Sequence, residues 1–282
     1  VGPPYFNAVF VPLMIPIFIL IGFVPVMRWK QDSFARIFKQ VLLPLAASIV
    51  LGISLPFLFD HWSLMVAVGL ACAAWIILTA AQSIVLRRKN TSKSNRLPLS
   101  FYGMHLAHIG LAVTTVGITL VMAYETENDL RMEINQTTQA AGYEIKFLGV
   151  TEIQGPNYTA QKGKFEVTKN KQFVEFLEPE KRQYVNSGMP MTEAAIDSGF
   201  TRDVYVSLGS LLTDQKNPAW SVRVYYKPFV NWIWWGTLLM AIGGITSMLD
   251  KRYRKKKLAQ IQVANSTLSN TPTYSVGASS GT

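Results

Sequence analysis

The feature that most constrains this chain is a set of five long runs without a charged residue, at 1–27, 41–59, 63–86, 97–124 and 229–249. A bilayer core of ~30 Å requires about 20 consecutive apolar residues in a helix. Each run meets or nearly meets that length, and backbone polar groups in hydrocarbon are satisfied only within helices or closed barrels. The sequence therefore predicts a polytopic α-helical membrane protein with about five transmembrane helices.

The distribution of basic residues predicts how these helices are oriented. The positive-inside rule places clustered Lys and Arg on the cytoplasmic side of a membrane. The turn around His61 and residues 125–227 then face the periplasm or its equivalent. Of the 27 Lys and Arg residues, 15 lie in three short segments that follow the first, third and fifth runs: Arg28, Lys30, Arg36, Lys39, Arg87, Arg88, Lys89, Lys93, Arg96, Lys251, Arg252, Arg254, Lys255, Lys256 and Lys257.

The formal net charge of +10 does not indicate a nucleic-acid partner. Residues 125–227, the largest polar region, hold 12 basic and 14 acidic residues. A polyanion would find no continuous basic surface in such a region. The positive charge therefore reports membrane topology, and the expected surroundings are lipid.

The region between the fourth and fifth runs is predicted to be a β domain. Apolar and polar residues alternate there over short stretches, which is typical of half-buried antiparallel strands. About 100 residues of this kind favour a small barrel or sandwich. Residues 193–197 interrupt the pattern and are predicted to form a helical turn or a loop insertion. The alternating stretches are 143–147, 164–167, 172–176, 204–208 and 221–225.

These patterns divide the chain into four predicted parts. Residues 1–124 form a four-helix transmembrane segment with its N-terminus outside, and 125–228 form a periplasmic β domain. Residues 229–250 form the fifth transmembrane helix, and 251–282 form a basic and then disordered cytoplasmic tail, rich in Ser, Thr and Gly. Because no initiator Met or signal peptide precedes the first helix, we expect a C-terminal part of a longer protein, or one product of a split gene.

The predicted β domain has no sign of its own chemistry. It contains no His, no Cys, no nucleophile motif and no glycine-rich phosphate loop. The single cysteine, Cys72, lies in the third apolar run, where a small packing residue is expected and a disulfide is excluded. The β domain is therefore expected to bind proteins.

The candidate site is the pair His105 and His108 in the fourth apolar run. An ionisable side chain at membrane depth is costly and by default marks a functional site. The two residues are one helical turn apart, and His108 lies roughly 14 to 17 Å from the start of the helix, near mid-bilayer on its cytoplasmic half. They could bind a cofactor, hold a metal ion together, with Cys72 as a further ligand, or pair only in helix packing.

Haem would need two axial ligands on opposite faces of its ring, which two histidines on one helical face cannot supply. His61, the remaining histidine, lies in the outer turn, far from the depth of His108. If two histidines hold a haem at His108, the second one lies outside this chain.

Proline and tryptophan residues give weaker signals. Pro12, Pro16, Pro25, Pro44 and Pro56 fall in the first two apolar runs, where the carbonyl that each one frees needs another donor. A tryptophan group at the start of the fifth run is typical of an interfacial aromatic belt. Its alternative role is an apolar platform beside a haem or quinone site on the outer side, formed by Trp232, Trp234 and Trp235.

An ordered set of motifs resembles the C-terminal portion of the CcmF family, the haem lyase subunit of cytochrome c maturation. The resemblance extends to about residue 257, and its specificity comes from the set as a whole. The matching stretches are 1–7 (VGPPYFN), 103–110 (GMHLAHIG), 155–158 (GPNY), 191–196 (MTEAAI), 202–209 (RDVYVSLG) and 227–236 (KPFVNWIWWG).

The resemblance implies attachment of haem, as substrate, to the Cys-x-x-Cys-His motif of apocytochrome c at the periplasmic face of the bacterial inner membrane. It implies delivery of haem by a CcmE-type chaperone and presentation of the apoprotein by CcmH- and CcmI-type partners. It further implies a transmembrane haem b, held by two histidines on different helices, that reduces the incoming haem iron. The depth of His108 in the membrane suggests quinol as the reductant. His108, in its Ala-His-Ile-Gly context, resembles one of those ligands, and His105 is then a neighbour that packs beside it.

The family's tryptophan-rich haem-handling segment and its two outer-face histidines belong to upstream CcmF sequence. This chain alone is therefore not expected to perform the synthesis. Two other classes of function stay open: a non-catalytic membrane scaffold for assembly, and a transporter-like permease subunit. The permease alternative is disfavoured because few polar residues, among them Gln82, Thr114 and Thr115, line the apolar runs.

Overall fold

The computed structural model describes residues 3–27, 32–59, 61–90, 97–185, 188–212 and 218–250. The predicted tail at 251–282 lies outside the described residues, as do most of the basic residues that predict the orientation. Within the described ranges the chain forms an α-helical bundle and a β domain. The helices are α1 (Pro3–Phe23), α2 (Phe34–Ser54), α3 (Leu64–Lys89), α4 (Leu99–Tyr124) and α5 (Val230–Met248), and a 3₁₀ turn (Leu55–Leu58) extends α2.

Three described helices are long and apolar enough to cross a membrane: Phe34–Leu58, Leu64–Lys89 and Leu99–Tyr124. α1 contributes a shorter apolar stretch, Ala8–Phe23. α5 has 19 residues, with Asn231 and three tryptophans in its first two turns.

Among the described helices, α4 and α5 make the most extensive contact, and glycine makes it close. Gly103, Gly110 and Gly117 recur every seven residues on one face of α4. A Cβ atom on Gly110 would lie 2.6 Å from the carbonyl oxygen of Gly236, and one on Gly236 would lie 2.5 Å from the carbonyl oxygen of Gly110. Small residues let membrane helices approach until their backbones touch.

A side chain on α3 satisfies a carbonyl that proline frees on α2. Pro44 has no N–H, so the carbonyl of Gln40, four residues earlier, has no donor within its own helix. The Gln82 side-chain amide donates to that oxygen at 2.8 Å. The expectation that the freed carbonyl needs another donor is confirmed at this position, and a neighbouring helix provides it.

The β domain consists of two antiparallel sheets around one core. One sheet has the strand order β1-β10-β9-β8, and the other β2-β3-β4-β6-β7, with β5 also paired to β4. Phe147, Phe165, Val206 and Val222, drawn from both sheets, are fully buried in that core. The strands are β1 (Thr126–Glu133), β2 (Thr137–Ala140), β3 (Tyr143–Gln154), β4 (Tyr158–Lys169), β5 (Gln172–Leu177), β6 (Glu180–Tyr184), β7 (Met191–Glu193), β8 (Ala195–Ser198), β9 (Arg202–Leu212) and β10 (Ala219–Pro228).

All five alternating stretches in the sequence lie within observed strands. The prediction of a helical turn or loop insertion at 193–197 is wrong. This segment forms the end of β7 and most of β8, and Asp197 pairs with Val204 of β9. Pairing along the neighbouring strand overrides the local preference of two consecutive alanines, as is common for strands.

The β domain continues directly from two adjacent helices. Only Glu125 separates α4 from β1, and only Phe229 separates β10 from α5. β1 and β10 are themselves paired from Thr126↔Tyr226 onward, so the α4–α5 pair extends into a pair of strands. Phe229 makes its turn with a left-handed φ of 55°.

Polar contacts fix both ends of α5. At the β-domain end, the Asn231 amide donates to the buried Asp203 carboxylate at 3.0 Å. The Trp232 indole donates to the carbonyl of Phe200 at 3.1 Å. At the other end, the backbone N–H of Ser100 on α4 donates to the Asp250 carboxylate at 2.9 Å. α5 is therefore fixed to the β domain at one end and to the start of α4 at the other.

Candidate functional site

Both imidazoles of α4 are held in one tautomer by the helix itself. His105 Nδ1 lies 2.7 Å from the carbonyl oxygen of Phe101, and His108 Nδ1 lies 2.7 Å from that of Met104. A carbonyl oxygen can only accept, so Nδ1 carries the proton and donates. In the neutral ring the lone pair is then on Nε2.

The Nε2 atoms of both histidines are buried and have no hydrogen-bond partner among the residues that the structure describes. A buried polar atom without a partner is unusual and requires an explanation. Histidine commonly binds a metal ion through an Nε2 atom that has a free lone pair. The donor chemistry of the site therefore fits an axial ligand to haem iron.

The two histidines differ in how far the rest of the chain covers them. His105 is 1% exposed and packs its ring 4.2 Å from that of Phe101. His108 is only half-buried. The ring of His108 is thus the more accessible of the two, although its Nε2 atom is buried like that of His105.

His61 does not lie near this pair. Its ring is 4.9 Å from that of Tyr124, and the Tyr124 hydroxyl donates to the His61 carbonyl oxygen at 2.9 Å. Tyr124 is 16 residues beyond His108 on the same helix, a rise of roughly 24 Å. Among the described residues, no group of three or more His, Cys, Asp and Glu is placed to hold a metal ion.

A cavity of about 400 Å³ lies between α1, α3 and α4, toward the N-terminal end of α3. Thr115, seven residues after His108, lines it, so the cavity continues the face of α4 that carries His108. Cys72, buried as its apolar neighbours predict, lines the same cavity. No charged side chain is among the lining residues that the structure describes.

The three tryptophans of α5 do not share one surface. Trp232 packs against Phe229 and Phe200, with ring centroids 5.1 and 5.8 Å away. Trp234 and Trp235 are 71% and 54% exposed. The sequence did not predict an aromatic cluster of Phe59, Tyr124 and Phe229. The rings of Phe59 and Tyr124 are stacked with centroids 4.7 Å apart, and Phe229 packs edge-on against Phe59. The only signal for it was that these aromatic residues end apolar runs.

Apolar helices long enough to cross a membrane, joined to a β-sandwich, define this chain as a membrane protein with a β domain. Residues 123–228 match the family model described as the CcmF C-terminal beta-sandwich. The chain as a whole matches the C-terminal portion of CcmF-family proteins, to which we assign it.

Two curated relatives show the extent of the similarity. The chain is 42% identical over 268 residues to the cytochrome c-type biogenesis protein CcmF of Pseudomonas aeruginosa, covering 94% of this chain and 40% of the relative. It is 41% identical over 257 residues to CcmF of Escherichia coli K12, covering 91% of this chain and 39% of the relative. The chain thus spans about two fifths of the length of these relatives.

A solved structure, that of a cytochrome c haem lyase CcmF, has a similar fold. Its TM-score is 0.68 over 88% of this chain and 41% of that chain, at 19% sequence identity. At that identity the likeness concerns the fold alone.

Proposed function

We propose that this chain is the C-terminal part of a cytochrome c haem lyase and that His108 is one of two axial ligands of a transmembrane haem b. The observation that carries the proposal is the His108 Nε2 atom, which is buried, unpartnered among the described residues and left with the lone pair because Nδ1 donates to Met104. Relatives named for cytochrome c biogenesis support the biological setting.

The chain's own contribution is to orient the ligand. A hydrogen bond from Nδ1 to a carbonyl fixes the ring and makes Nε2 a better donor to metal, as partners behind metal-bound histidines generally do. His105, enclosed one turn away, supports the ring by packing and does not bind iron. Haem b, when bound, would supply the electron that reduces the iron of the substrate haem.

The second axial ligand comes from the portion of CcmF that this chain does not cover. His105 projects from the same side of α4 as His108, whereas axial ligands approach a haem from opposite faces. His61 is too far away along the helix axis. An upstream histidine on another helix would complete the pair.

The proposed setting is the inner membrane, with all five helices crossing it and the β-sandwich in the periplasm. Arg87, Arg88 and Lys89 end α3, and Arg36 and Lys39 lie in the first turns of α2, so the described basic residues of these two helices gather at one end. α5, with 19 residues, extends roughly 28 Å and matches a bilayer core of ~30 Å.

The β-sandwich is proposed to bind protein partners. Its sequence has no His, no Cys and no nucleophile motif, so no chemistry of its own is expected there. The proposed partners are a CcmE-type haem chaperone, CcmH- and CcmI-type proteins and apocytochrome c, with quinol as reductant. The exposed Trp234 and Trp235 are proposed as a platform at the outer side.

Absorbance spectra of the purified full-length complex test the haem ligand. His108→Ala should lose the low-spin haem spectrum and fail to mature cytochromes, while His105→Ala should keep the spectrum. His108→Cys should retain partial binding through its thiolate.

Two results would contradict this assignment. An unchanged spectrum in His108→Ala, with loss in His105→Ala, would mean that the ligand is the other histidine. Absence of haem b from the wild-type complex would favour a scaffold whose histidines only pack.

A further inference from the structure

Two arginines in the last turn of α3 contact aromatic rings in the first turns of α4. The Arg87 guanidinium carbon lies 5.6 Å from the ring centroid of Phe101, and that of Arg88 lies 5.8 Å from the ring centroid of Tyr102. Both arginines are exposed. They have the same charge, the same kind of aromatic contact and adjacent positions, yet they approach different faces of α4.

Helix geometry relates these two faces to His108. Phe101 is seven residues before His108, so the two lie within about 20° of each other around the axis and roughly 10 Å apart along it. Tyr102 is six residues before His108 and lies about 120° away. Arg87 is therefore on the His108 face of α4, two turns nearer the start of the helix, and Arg88 is not.

In the opposite direction along the same face, the described residues offer no cation to an anionic group. Beyond His108 it leads to Thr115 and the cavity between α1, α3 and α4, whose described lining has no charged side chain. A carboxylate without a partner is strongly disfavoured in such surroundings. Among the described residues along this face of α4, Arg87 is thus the cation toward which an anionic group on a ligand held at His108 would be stabilised.

We propose that Arg87 binds a carboxylate of the macrocycle that His108 ligates, so that the carboxylate edge of haem points toward the end of α3. The inference rests on the proposed function, because it assumes a haem at His108. Arginine suits the role because its planar fork can give a carboxylate two parallel hydrogen bonds. Arg87 is in this view a positioning residue, which sets the orientation of the macrocycle within the membrane.

The test compares Arg87→Gln with Arg88→Gln in the full-length protein, produced without haem and titrated in detergent with haem or with haem dimethyl ester. The ester has the same ring and iron but no free carboxylate. Growth of the low-spin absorbance band gives the affinity for each macrocycle. The wild type should prefer haem by roughly tenfold or more, as expected for losing a hydrogen bond to a charged group.

Arg87→Gln should lose that preference, because it can no longer discriminate the acid from the ester, while Arg88→Gln should keep it. Equal preference in wild type and Arg87→Gln would overturn the proposal. So would an equal loss in both variants, because that result indicates a general surface-charge or lipid-phosphate effect. If Arg87→Gln does not fold, Arg87→Lys decides: it keeps the charge and loses the fork, so an unchanged preference would count against bidentate binding.

Failure of the proposed function looks different in the same experiment. A wild-type protein that forms no low-spin band with either macrocycle lacks the haem site itself, and both proposals then fall. A wild-type protein that binds both macrocycles equally well retains the haem ligand and loses only the role of Arg87.

Discussion

A carbonyl one turn earlier on the helix determines which nitrogen of each imidazole on α4 carries the proton. The spacing of His105 and His108 predicts that they share one side of a helix, and both do lie on α4. The sequence could not predict that one ring is enclosed and the other half-buried, because that difference depends on how neighbouring side chains pack. The same holds for Gln82, whose amide reaches a residue 42 positions earlier in the chain.

The contact between Gln82 and Gln40 gives a prediction for single residues. Gln82→Leu should lower the free energy of unfolding by about 1–3 kcal/mol, because the carbonyl of Gln40 is left without a donor. In the double variant with Pro44→Ala, most of that loss should disappear, since an alanine in place of the proline has an N–H to donate to the same oxygen. Thermal unfolding of the four proteins in detergent measures this coupling. Strictly additive losses would mean that the two sites are independent.

At the scale of elements, the helices were the easier part of the fold to predict. Hydropathy alone located all five, since long apolar runs have few alternatives in a bilayer. The start of α2 at Phe34, seven residues before the second apolar run, was missed because charged residues occupy its first turns. Alternation located β3, β4, β5, β9 and β10 but not β1, β2 or β6. β7 and β8 were missed as well, because they depend on pairing with β6 and β9.

The α4–α5 contact gives a prediction for a pair of elements. Gly110→Val should destabilise the protein by about 1–3 kcal/mol, because its side chain would collide with the backbone of α5 and push the helices apart. Gly244→Ala is the matched control: a Cβ atom there meets nothing within 4 Å. The control should be neutral or slightly stabilising, since alanine favours helix more than glycine does. Equal thermal destabilisation by both substitutions would show that the close contact is not responsible.

At the scale of the whole molecule, orientation in the membrane is the central prediction. Lys162→Cys, in the β-sandwich, should react with an impermeant maleimide added to intact cells, because the sandwich is expected outside. Ser269→Cys, which lies beyond the described residues, should react only after the cells are opened. Protection of Lys162→Cys in intact cells would overturn the proposed topology, and labelling of both positions in lysed cells controls for accessibility.

The one-residue connections at Glu125 and Phe229 have a consequence for how a docked partner is presented. A domain on long linkers can sample many distances from the bilayer. This sandwich is joined to α4 and α5 by a single residue at each connection, so its distance from the helices varies little. The α4–α5 pair thus continues into the β1–β10 ladder without an intervening loop. If the sandwich binds partners as proposed, these short connections would restrict the height and rotational angle at which a bound partner stands over the membrane surface. Adjustment of the distance would then come from the partner's own flexible segments.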